Sequence, residues 1–129
     1  MSPQDLQPDT RRALVRGRAL YIAGRYFEAH EAWEDAWRVE SGQVRSFLQA
    51  LIQVSAGFVK ATRDGRPAGA VKHFESASER LAGLPDVFAG VALAPFREDL
   101  AAATDAARRW RDGSSRRLEA RPPRIDYVV

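Results

Sequence analysis

The sequence contains no cysteine, which removes disulfides and thiolate metal sites together and is compatible with a reducing compartment. Histidine is nearly absent: His30 and His73 are the only two in 129 residues. Lysine is as scarce, with Lys60 and Lys72 the only two among 20 basic residues, so the positive charge is almost wholly arginine. No apolar run is long enough to cross a bilayer. The most apolar stretch, Phe47 to Val59, is interrupted by Gln49, Gln53 and Ser55, and membrane partners are not expected. The opening Met-Ser-Pro-Gln-Asp lacks both a basic start and an apolar segment, so no secretory signal is expected and a cytoplasmic location is. Alternation of apolar and polar residues is missing throughout, which predicts no sheet. Phosphate-cradling glycine loops, a Gly-x-Ser-x-Gly elbow and a cysteine nucleophile are missing too.

Charge decides little. A net charge of +3, with 17 acidic residues mixed among the arginines, describes a solvated mixed-charge surface better than a nucleic-acid face. No predicted helix carries a basic face with base-reading side chains, so nucleic acid is not an expected partner.

What is present is helical periodicity. At this length the chain is one domain, read as a single helical domain over 1–110 followed by a C-terminal arm over 111–129. After a loose, proline-containing lead-in over 1–9, Leu14, Val15, Tyr21 and Ile22 recur at helical spacing, and Gly24 ends that helix. A second helix runs from about Arg25 to Glu40 and stops at Ser41-Gly42. A third, over about 44–62, is apolar nearly all round, with only Gln49, Gln53 and Lys60 in a polar line down it. Such a helix is surrounded by others. Arg63 to Pro67 is a turn, Pro67 opens a fourth helix that ends at Gly83, and Pro95 opens a fifth reaching Trp110. The fold class is therefore all-α: a single bundle of about five helices around a central buried one. Beyond Arg111 the pattern dissolves into loop and polyproline-like chain, closed by an apolar Ile-Asp-Tyr-Val-Val that docks on the domain or on a second subunit.

The second helix concentrates the chemistry. At about 100° per residue, Trp33, Tyr26, Trp37, His30, Glu34 and Phe27 share one arc, with Glu28 and Asp35 opposite and Glu31 at the margin. His30 and Glu34, one turn apart, can touch each other or grip one cation from the same side. A complete metal site needs a third ligand, for which Glu31 and His73 are the candidates. Trp37, Glu28, Gln49 and Gln53 are the supporting residues. The alternatives are a structural pair, in which His30 donates to Glu34 and the neighbours satisfy the rest, and acid–base chemistry without metal.

These residues carry a family resemblance. The pattern His-x-x-x-Glu-x-x-Trp or Tyr, here His30, Glu34 and Trp37, resembles that of the bacterial and archaeal family called domain of unknown function 309. So do its context Tyr26-Phe-Glu-Ala-His-Glu, the segment Phe47-Leu-Gln-Ala-Leu-Ile-Gln53 and the element Arg66 to Ala70. The likeness spans about residues 13–100. It implies an all-helical fold with one helix ringed by others, and a motif suspected of binding metal or of an enzymatic role. Two functions are expected on these grounds. One is a metal-dependent hydrolase holding a divalent ion. The other is a non-enzymatic helical scaffold, binding itself or a protein partner, whose third and fourth helices are similar to a tetratricopeptide hairpin.

Overall fold

The structure, a computed structural model, describes residues 2–128. Five helices follow one another: α1 Pro8–Ile22, α2 Tyr26–Trp37, α3 Gly42–Val59, α4 Pro67–Leu81 and α5 Leu93–Arg111. Each packs chiefly on its sequence neighbours, so α3 lies in the middle between α2 and α4, with α1 outside α2 and α5 outside α4. The all-α bundle with a central third helix is what the periodicity predicts. Phe47, Leu48, Leu51, Val54 and Phe58 of α3 are all buried. Gln49 and Gln53 stay half-buried along its polar line.

Close packing of α1 on α2 depends on one small residue. Trp33 of α2 is fully buried and lies over Gly17, where an added Cβ would sit 2.1 Å from the indole Nε1. The indole N–H donates to the carbonyl of Leu14 at 3.4 Å. This meets the need of a buried tryptophan for a partner.

The lead-in is less loose than its prolines suggest. Pro3–Asp5 form a short 3-10 turn, Leu6 is buried, and the buried Thr10 hydroxyl donates to Glu40 in the connection between α2 and α3. A sheet was not expected, yet two strands form the smallest possible ribbon: β1 Val87–Phe88 pairs antiparallel with β2 Val91–Ala92. Two-residue strands are too short to show alternation, which is why the pattern conceals them. Phe88 and Val91 are buried and close one end of the core, and Phe88 meets Phe47 of α3 at 5.2 Å between ring centroids.

The arm beyond α5 docks on its own domain. The buried Tyr21 hydroxyl donates to the carbonyl of Pro123 at 2.7 Å, and Ile125 is buried. Asp99 of α5 accepts from the backbone N–H of Arg124 at 3.0 Å and from its Nε at 2.9 Å. Tyr127 bridges antiparallel to Val91, extending the ribbon by one rung. Val129 lies outside the described residues. No helix among the described residues is long and apolar enough to cross a membrane.

Candidate functional site

His30 and Glu34 meet as the one-turn spacing requires. Nε2 of His30 lies 3.0 Å from Oε2 of Glu34. The pair sits at the rim of the core rather than wholly inside it, with side chains 26% and 28% exposed. The other carboxylate oxygen, Oε1, lies 3.1 Å from a guanidinium nitrogen of Arg38, itself paired with Asp35. Nδ1 of His30 is buried and has no hydrogen-bond partner among the described residues. Since Glu34 is the acceptor available to this ring, the proton belongs on Nε2 and Nδ1 keeps its lone pair.

The second histidine comes to the same place from α4. His73 and His30 both line a cleft of about 200 Å³ between α2, the end of α3 and the start of α4, with Phe27, Ala56, Val59, Lys60, Arg63 and Asp64 around it. Nδ1 of His73 lies 2.6 Å from Oε1 of Gln53. With the amide oxygen accepting, Nδ1 carries the hydrogen and Nε2 is left as a lone pair. Burial, then the charges of Lys60, Lys72 and His30, hold the His73 pKa below its ordinary value. The ring is therefore biased towards the neutral form, the form that ligates a metal or accepts a proton.

Other predicted members lie apart. Glu28 is exposed and bound to Arg25, with Nε to Oε1 at 2.8 Å. Glu31 is exposed. Trp37 faces the guanidinium of Arg45 at 4.1 Å, and with Gln49, Ser46 and Arg80 it lines a separate polar cleft. The arc drawn from periodicity is real, but the three helices around it divide it into two clefts. Phe27, at one edge of the arc, is half exposed and stacks beside His30 with ring centroids 6.0 Å apart. Among the described residues no three His, Asp or Glu side chains are grouped closely enough to hold one metal ion.

Three cleft residues escaped the sequence reading. Lys60, Arg63 and Asp64 belong to a π-helical turn, Lys60–Asp64, that prolongs α3 and ends at Gly65 in the left-handed region, φ 63°. Widened turns of this kind occur often at functional sites. One sign of it was legible: Lys60 lies on the same polar line as Gln53, and that line leads into the cleft.

A helical bundle with a histidine–carboxylate pair at the rim of a small cleft, faced by a second histidine, defines the class. Residues 14–73 match the family described as Domain of unknown function (DUF309). The matched segment holds the His30–Glu34–Trp37 pattern, all of α3 and His73 at its end, and stops short of the 13–100 expected from the sequence. No curated protein matches the chain.

Proposed function

We propose that the cleft between α2, α3 and α4 is the functional centre, and that His30 and Glu34 hold a divalent cation there for hydrolytic chemistry. The observation that carries this reading is the 3.0 Å separation of Nε2 and Oε2 at the cleft rim. Two ligands that each lie about 2.0–2.1 Å from a zinc-like ion stand roughly 3 Å apart, so the pair's heavy atoms need little movement to accept one, the ring proton passing from Nε2 to Nδ1. His73, biased towards the neutral form and held through Gln53, is the third residue of the site, placed as a base on the same cleft. A cation bound there would polarise a substrate oxygen and acidify a bound water. Positions left open on the ion suit a catalytic rather than a structural role.

Isothermal titration of untagged protein with zinc and manganese tests this. Binding near one equivalent is expected, with loss in both His30→Ala and Glu34→Gln. Absence of any binding by folded wild-type protein would contradict it.

A second reading is favoured by one contact. Arg38 at 3.1 Å already satisfies the other oxygen of Glu34, as a purely structural pair in a non-enzymatic scaffold requires. That reading predicts no cation uptake by the wild type and a lower Tm as the sole effect of Glu34→Gln.

A further inference from the structure

Charge in the cleft is not balanced. Asp64 is its only lining carboxylate among the described residues, and two cations share it: Lys60 Nζ at 3.5 Å and Arg63 Nε at 2.9 Å. The Arg63 contact, helped by Lys60, holds the Asp64 carboxyl below its usual range, so it is charged at neutral pH and offsets one of the two. The terminal guanidinium nitrogens of Arg63 have no hydrogen-bond partner among the described residues. Each cation also has an apolar neighbour. The Lys60 stem lies against α4 where Gly69 leaves room, since a Cβ there would come within 3.2 Å of its Cγ and Cδ. The Arg63 guanidinium stands 5.3 Å from the centroid of Phe27. Phe27, Ala56 and Val59 supply an apolar wall on the same cleft. Its volume of about 200 Å³ is far more than one water needs, and lies below the roughly 300–1,000 Å³ of drug-sized ligand pockets.

We infer that this cleft binds a small organic anion, its charged head on Lys60 and Arg63 and its apolar body against Phe27, Ala56 and Val59. The inference rests on the reading of the cleft as the functional centre and adds the ligand class. An oxyanion replaces the missing second negative charge and takes the free guanidinium donors as a fork. The half-exposed Phe27 ring gains the cover it lacks. His73 then faces the bound molecule with an uncharged nitrogen.

The test uses metal-free full-length protein in chelator, followed by the histidine and phenylalanine ring resonances in NMR. The probes are benzoate, phenyl phosphate, acetate, inorganic phosphate and the neutral benzyl alcohol. Saturable shifts at His73 and Phe27 are expected with benzoate or phenyl phosphate. Acetate, phosphate and benzyl alcohol each lack one half of the match and should bind about tenfold more weakly. Whichever aromatic anion binds more tightly identifies the head group as carboxylate or phosphate. Lys60→Met, which keeps the stem over Gly69, combined with Arg63→Gln, should remove the shifts while the circular dichroism stays that of wild type. Equal binding of benzyl alcohol, or no saturable shift with either aromatic anion, overturns the inference. Cation uptake without anion binding defeats this inference alone; anion binding without cation uptake supports it and defeats the cation assignment alone.

Discussion

Trp33 shows at the scale of one residue how the bundle is held. Its indole fills the space over Gly17, and an alanine methyl would overlap the ring at 2.1 Å. Backbone on one side and a buried ring on the other leave no easy way to yield, so Gly17→Ala should cost about 3 kcal/mol. A Tm lower by roughly 10 °C in thermal denaturation checks it. His73 gives a pH signature. Its pKa is held down in the fold, chiefly by burial, so the unfolded chain binds the more protons as pH drops below the ordinary 6.5. The stability due to its neutral form is full above that pH and is lost as pH falls through the folded value. Denaturant midpoints for wild type and His73→Gln should therefore converge on acidification; a constant difference across that range contradicts the assignment. Only part of this was legible in the residues. The one-turn spacing of His30 and Glu34 predicts their contact, because helix geometry is local. The pairing of His73 with Gln53 depends on how α4 lies on α3, which no local pattern encodes.

Elements with repeated apolar spacing were the readable ones. All five helices follow from periodicity and their glycine and proline ends, since each must bury a face against its neighbours. The π-helical turn Lys60–Asp64 and the two-residue strands β1 and β2 have no such repeat and were hidden. Docking of the arm was one of two expected outcomes, but where it docks was hidden for another reason: its slot is assembled from α1, α5 and the ribbon, far apart in sequence. Tyr21 is the centre of that slot, and burial raises its hydroxyl pKa well above the ordinary tyrosine value. Tyr21→Phe deletes the donor to Pro123 and strands a carbonyl in a buried place, at a cost of about 1–2 kcal/mol. Its expected outcome is faster tryptic cleavage after Arg124 at unchanged helical circular dichroism. An arm equally resistant to trypsin would show that the hydrogen bond does not hold it.

For the whole molecule, the arrangement of α2, α3 and α4 decides what the His30–Glu34–Trp37 motif of one helix can do. It brings His30 and His73 to a common cleft, each held from behind by its own partner, Glu34 or Gln53, and turns Trp37 and Gln49 to another. The fold was legible as a class, and so was the contact between His30 and Glu34. The cleft's cationic side was not, because Lys60 and Arg63 acquire their meaning only when α4 returns past them. The central claim is that His30 and Glu34 together grip a cation. A crystal of untagged protein grown with zinc and measured at the zinc absorption edge tests it most directly. The account predicts an anomalous peak between Nε2 of His30 and Oε2 of Glu34. An intact hydrogen bond between them, with no peak at saturating zinc, would contradict it.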